Sequence, residues 1–156
     1  MSKANVLAEL QAQLGKEIHR SEWLRIEQER IDQFADATGD HQWIHVDVER
    51  ARRESPYKAP IAHGFLTLSL IPMLTKPGGD NEPRYPGVKL AVNYGLNRVR
   101  FPAPVKVGSR VRSRSVLKEV SEVTGGLQML REVTIEVEGG DKPACVAETV
   151  GRLYFD

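Results

Sequence analysis

Cysteine is nearly absent. Cys145 is the single residue of its kind, so the chain cannot staple itself with an internal disulfide. No sign of charge dominates either: Lys plus Arg is 22 against 21 for Asp plus Glu, which leaves no global field to hold nucleic acid or an acidic membrane surface. A charged ligand has to be met locally. The longest apolar run, Phe65 to Leu74, is interrupted by Thr67, Ser69 and Pro72 and falls far short of the ~20 residues that span a bilayer. The opening stretch MSKANVLAEL lacks the basic-then-apolar layout of a secretion signal, so a cytoplasmic location with no membrane or nucleic-acid partner is expected. G-x-S-x-G, the phosphate loop and G-x-G-x-x-G are missing, which leaves serine hydrolase, nucleotide hydrolase and dinucleotide oxidoreductase chemistry without support.

What is present fits one domain over residues 1–156, a length at which a domain buries enough surface to fold without staples. Asn5 to Leu14 reads as a short helix stopped by Gly15. Glu27 to Thr38 reads as a second helix, with Ile31, Phe34, Ala35 and Thr38 at helical spacing and Gly39 in the C-terminal cap position. Ile18 to Ile26 alternates poorly and is a weak strand candidate, and Asp47 to Glu54 looks helical. Ile61 to Lys76 is apolar on nearly every side, as expected of a helix enclosed by other structure, and Pro72 should kink or end it.

After that helix the period changes to two. Val133, Ile135 and Val137 alternate with Glu132, Thr134, Glu136 and Glu138, the pattern of a half-buried strand. Val88 to Phe101, Arg110 to Lys118 and Ala144 to Phe155 are further strand candidates. The glycine pairs at Pro77-Gly78-Gly79, Gly125-Gly126 and Gly139-Gly140 supply turns between elements. In the first of these strands the apolar residues sit on even positions to Leu96, then on odd positions at Val99 and Phe101. Strand faces alternate strictly, so a bulge or bend is expected near Gly95 to Arg98. The combination predicts an α+β fold in which a curved antiparallel sheet wraps around a central apolar helix.

Chemistry concentrates in Gly39-Asp40-His41-Gln42-Trp43-Ile44-His45, a loop between two helices. An imidazole beside a carboxylate can orient and polarise one water molecule, which makes Asp40 and His45 candidate catalytic residues. Helix capping by Asp40 or Asp47 and simple packing by His45 would account for the same letters. His41, His45, Asp40 and Asp47, with His63 from elsewhere, could also crowd a metal ion. Gly39 and the bulky Trp43 make a regular ligand-bearing helix doubtful, and no metal is expected. Cys145 lies in an apolar strand candidate and reads as a small buried hydrophobe, not a nucleophile. A second cluster, Pro60-Ile61-Ala62-His63-Gly64-Phe65, opens the apolar helix. Free N–H groups at a helix start can meet an oxyanion, and Gly64 would give access to them; a turn or close packing would equally explain that glycine.

Taken together these residues resemble the MaoC-like dehydratases and (R)-specific enoyl-CoA hydratases, called hydratase 2, whose fold is the hot dog. The family motif runs approximately G-D-x-N-P-[LIV]-H followed by Ala; here Gly39 to His45 runs on to Ala51. Pro60 to Phe65 resembles the family's second segment, P-I-x-H-G-[FM], and Asn93 to Gly108 resembles the strand and turn after its central helix. The wording is similar to that of a subgroup containing nodulation protein N and short mycobacterial (R)-hydratases. Gln42 and Trp43 depart from the motif's Asn and Pro, which bears on loop path and on the acyl pocket.

The resemblance implies an enzyme of fatty-acid metabolism that hydrates trans-2-enoyl-CoA to (3R)-hydroxyacyl-CoA, reversibly, with Asp40 and His45 holding the water. It implies a Gly64 N–H on the thioester oxygen, Trp43 and Phe65 along the acyl pocket with Leu68 nearby, and a homodimer joined through its sheets. No dissociable cofactor is implied, since coenzyme A is part of the substrate. Arg52, Arg53, Lys89, Arg98 and Arg100 are candidate partners for its phosphates. A hot dog acyl-CoA thioesterase and a non-catalytic acyl-thioester-binding subunit remain as alternatives, because one fold hosts several functions.

Overall fold

The computed structural model describes residues 2–76 and 84–156. The turn expected at Pro77-Gly78-Gly79 lies outside them. The chain opens with α1 (Lys3–Ala12), which starts two residues ahead of the sequence reading because the Ser2 side chain accepts a hydrogen bond from the Asn5 N–H and caps it. The poorly alternating stretch that follows is two short strands, β1 (Glu17–Arg20) and β2 (Leu24–Arg25). Helix α2 (Gln28–Thr38) ends as expected on Gly39, whose φ of 80° is left-handed and whose N–H returns to the Ala35 carbonyl. Two short helices, α3 (Trp43–Val46) and α4 (Val48–Glu54), carry the polar loop to the apolar segment.

That segment is a broken rod, α5 (Gly64–Ser69) and α6 (Ile71–Thr75), interrupted at Leu70 and not at Pro72. Pro72 sits in the first turn of α6, where its missing N–H would have had no partner in any case. The rod is also less enclosed than its composition suggests. Leu66, Leu70, Ile71 and Leu74 are buried, while Phe65 is 68% exposed and Met73 47%.

The sheet is antiparallel throughout. Strands β3 (Val88–Arg100), β4 (Arg110–Val123), β5 (Gly126–Val137) and β6 (Cys145–Phe155) take the spatial order β1-β4-β5-β6-β3, with β2 also paired to β4. β4 runs past its expected end at Lys118 because it turns directly into β5 through Thr124 and Gly125, the latter at φ 75°. The parity switch in β3 is real: its register against β6 shifts between Asn93 and Gly95 and again between Leu96 and Arg98. The face carrying its even-numbered apolar residues is not covered, however. Leu90 is 56% exposed and Tyr94 59%, and β3 forms the free edge of the sheet among the described residues.

Two apolar clusters line the inner side of the sheet. The first joins Leu66, Leu70, Ile71 and Leu74 of the broken rod to Val111, Val133, Ile135 and Ala147. The second packs Val6 and Leu10 of α1 onto Leu117, Leu127, Met129 and Leu153. Among the described residues no helix is long and apolar enough to cross a membrane.

Gly126 is required by close approach: a Cβ there would stand 2.2 Å from the Leu153 carbonyl oxygen, a backbone atom that cannot swing aside. Gly126→Ala is therefore expected to force the β5–β6 register apart and to destabilise the fold by about 1–3 kcal/mol, the usual scale of overpacking. Urea unfolding of the two proteins checks it, and an unchanged midpoint would refute the steric reading.

Candidate active site

Gly39 releases the chain from α2 so that Asp40 projects into solvent at the helix end. Its carboxylate Oδ1 accepts from the Gln42 N–H at 3.3 Å, a local turn that fixes the loop entrance. His41 points elsewhere, to Asp36 at 2.9 Å on the exposed side. Four residues on, His45 turns inward and is only 6% exposed.

His45 is held by a hydrogen bond of 2.6 Å between its Nδ1 and the Ile61 carbonyl. A carbonyl can only accept, so Nδ1 carries the proton and Nε2 of the neutral ring is left with its lone pair. Burial, only partly offset by this hydrogen bond, pushes the His45 pKa below 6.5, which keeps the ring neutral at neutral pH. The exposed Asp40 carboxylate, His45 and His63 offer donor atoms that all lie within 4.8 Å of one another. Two hydrogen bonds of about 2.8 Å each can bridge such a gap through one water molecule.

His63 is the residue whose role the sequence did not reveal. It is 2% exposed, stacks on His45 with ring centroids 3.9 Å apart and planes 25° from parallel, and lies 4.9 Å from the Phe34 ring. Its Nε2 meets the Asp40 backbone carbonyl at 2.9 Å, so Nε2 donates, tying one catalytic candidate to the packing of the other. The sequence offered it only as a possible metal donor beside Asp40 and His45 and as a letter of the segment that opens the apolar helix, and neither reading implies the stack. The same three side chains make a poor metal site. Rings stacked nearly parallel send their in-plane lone pairs alongside each other, whereas a bound ion needs them to converge.

The second cluster sits where it was expected. Gly64 is the first residue of α5, directly after His63, and a Cβ on it would come 3.0 Å from the Phe101 ring. Phe65 stands edge-on to that same ring at 6.1 Å. Trp43 is half-buried beneath the Arg50 guanidinium, 4.2 Å from its ring centroid. Among the candidate cations, Arg52 pairs with Glu49, Arg53 with Glu54 and Lys89 with Asp156, while Arg100 turns onto the Val99 carbonyl. Cys145 is fully buried and its thiol is pushed up to about 11 by burial, so it is inert as a nucleophile.

Comparison with known proteins agrees with this arrangement. The model of the MaoC like domain matches residues 9–139. The chain is 53% identical over 147 residues to 3-hydroxyacyl-thioester dehydratase Z of Mycobacterium tuberculosis, covering 94% of each chain. It is 46% identical over 152 residues to nodulation protein N of Rhizobium leguminosarum bv. viciae, covering 96% of this chain and 92% of that one. Among solved structures, the (R)-hydratase from A. caviae involved in PHA biosynthesis superposes with a TM-score of 0.70 at 25% identity, over 88% of this chain and 94% of that one. The fold is the hot dog of that group, and the chain belongs to the MaoC-like domain family.

Proposed function

We propose that the chain is a hydro-lyase that adds water to the double bond of a trans-2-enoyl-CoA, giving the (3R)-hydroxyacyl-CoA, and runs in reverse as a dehydratase. The observation that carries this reading is the pairing of a buried, neutral His45, its Nε2 lone pair left available, with an exposed Asp40 carboxylate at one-water distance. In this scheme the water donates to both groups and its oxygen attacks C3, while the proton it gives up returns to C2 on the same face. Charge gathers on the thioester oxygen as the C2–C3 electrons move. The Gly64 N–H, at the start of α5 where no helical carbonyl precedes it, receives that charge. Trp43 and Phe65 take the part of acyl-pocket residues in this reading. No dissociable cofactor enters the scheme, and a single reduced, buried thiol suits a cytoplasmic protein.

The direct test is crotonyl-CoA. Loss of the conjugated enoyl absorbance without release of free thiol is expected, with a product resistant to an (S)-specific 3-hydroxyacyl-CoA dehydrogenase. Stoichiometric thiol release would mark a thioesterase instead, and an unchanged spectrum a mere binder.

Asp40→Asn and His45→Gln each remove proton-transfer capacity at nearly constant volume. Each should lower kcat by about 10² to 10⁴-fold, with the double variant little worse than the weaker single one, as for residues acting as one unit. The base must be neutral to act, so kcat/KM should fall on the acid side with a midpoint below 6.5, where burial places His45. Near-normal hydration by either folded variant removes that residue from the mechanism; an acid limb centred above 6.5 removes His45 as the base.

We also infer a homodimer joined edge to edge through β3. An open strand edge flanked by exposed Leu90, Tyr94 and Leu96 is a template for a second copy, and it is continuous with exposed Phe65 and Phe101 beside the candidate site. Light scattering should give twice the chain mass, and Tyr94→Lys should halve it. A wild-type monomer at micromolar concentration would rule the interface out.

A further inference from the structure

The inner face of β5 reads Leu127, Met129, Arg131, Val133, Ile135, and every residue of that row except Arg131 belongs to one of the two apolar clusters. A guanidinium therefore stands on the buried side of the sheet, at the boundary between them. Thr149 faces it on β6 and Leu117 on β4; Ser115, two residues before Leu117 on the same face of β4, is diagonal to it and opposite His19 of β1. Arg131 Nε is shielded from solvent with no hydrogen-bond partner among the described residues. Buried polar groups are ordinarily paired, so an orphaned guanidinium nitrogen points to something that completes it.

Arg131 looks into a cavity of about 470 Å³ lined also by Lys76, Arg84, Lys89 and Arg152, and by no carboxylate among the described residues. Lys89 is paired with Asp156, and Arg152 donates to Gln128 and covers the Tyr94 ring. Arg84 donates one N–H to the Ile18 carbonyl. Among the described residues Arg131 has no counter-ion: burial first, then the charge of Arg84, penalises its charged form, and burial first, then the same two guanidinium groups, depresses His19. A buried guanidinium beside a second one, with no carboxylate bonded to either among the described residues, is an unfavourable arrangement that a ligand's negative charge would relieve. An apolar wall comes from Ile18, Val88, Val92, Met129 and Leu153, with Thr75, Tyr85 and Asn93 also lining the cavity. The cavity lies by Pro72, Thr75 and Lys76, at the end of the broken rod opposite Gly64; the 11-residue step from Gly64 to Thr75 spans at most about 16 Å at helical rise.

We propose that this cavity is a second ligand site, which takes an aliphatic molecule by its carboxylate head, seated on Arg131 and Arg84, with its chain along the apolar wall. A guanidinium fork matches the two oxygens of a carboxylate, and a single negative charge on a hydrocarbon body is the ligand that both the cations and the walls accept.

The test measures binding alone, so it stands whether or not hydration is observed. Thermal midpoints are recorded for the full chain with octanoate, octan-1-ol and inorganic phosphate, and octanoate affinity by calorimetry. Octanoate should raise the midpoint saturably and the alcohol should not. Arg131→Met should raise the midpoint of the ligand-free protein, because an uncompensated buried charge is gone, and should weaken octanoate binding at least tenfold. His45→Gln should leave octanoate binding intact. Octanoate binding that survives Arg131→Met, or that His45→Gln abolishes, would place the ligand elsewhere and overturn the proposal. An equal response to octan-1-ol would reduce the site to an apolar cavity, and an equal response to phosphate would reduce it to an unselective anion hole; either overturns the carboxylate assignment. Should Arg131→Met fail to fold, Arg84→Met decides: retained octanoate binding there overturns the site, and its loss supports it.

Discussion

Residues 60–63 form an extended segment, buried along its length, that cannot leave its backbone unpaired, and both of its flanks are used. On one side the Ile61 N–H donates to the Ile44 carbonyl at 3.0 Å and the Ile61 carbonyl receives the His45 imidazole. On the other, the Val107 N–H reaches the Pro60 carbonyl at 2.9 Å and the Ala62 N–H reaches the Val105 carbonyl at 2.8 Å. A buried peptide group left without a partner costs about as much as a lost hydrogen bond, so this clamp fixes three pieces of chain at once. The polar loop, the start of α5 and the segment leading into β4 can move relative to one another only by breaking it. The tautomer of His45 is a product of the same clamp, because the carbonyl that satisfies Nδ1–H belongs to the clamped strand.

The environment of His45 reinforces the chemical state that the clamp selects. Burial first, and to a lesser extent the neighbouring His63 ring stacked 3.9 Å away, lower the pKa of His45. Asp40 is treated differently: its side chain stays in solvent while its backbone carbonyl is drawn in by His63. An acid group kept wet and a base kept dry, within reach of one water molecule, is an asymmetry of environment, and it arises here from a glycine cap that turns the chain at Gly39.

Much of this was legible in the letters. The strands of the second half announced themselves by period, the bulges of β3 by a change of parity, and the end of α2 by Gly39, because each of these is decided by local geometry. The dyad was legible because its two members lie in one short loop beside a second motif. What stayed hidden depends on partners distant in sequence. Period two says that Leu90, Val92 and Tyr94 share a face but not whether the core covers it, and among the described residues all three stay more than a third exposed. Pro72 looked like the break in the central helix. A proline in the first turn of a helix is harmless, however, and the rod parts at Leu70 instead. His63 was read as one letter of a motif, since its stack on His45 requires the clamp to bring residues 18 positions apart into register.

The broken rod also bears on how the two ends of the molecule communicate. Gly64 opens α5 beside the dyad, while Thr75 closes α6 beside the Arg131 cavity, so a continuous helix would carry any displacement at one end to the other as a rigid body. The regular helix is interrupted at Leu70, where one N–H is divided between the Leu66 and Thr67 carbonyls. The anchors differ as well. α5 is held at its start by the clamp around Ile61, whereas α6 is tied to the sheet through the Ser113 hydroxyl, which donates to the Leu74 carbonyl at 3.1 Å. The two halves of the rod are thus anchored separately, α5 to the segment that holds the Gly64 N–H and the His45 ring, and α6 to the sheet beside the cavity.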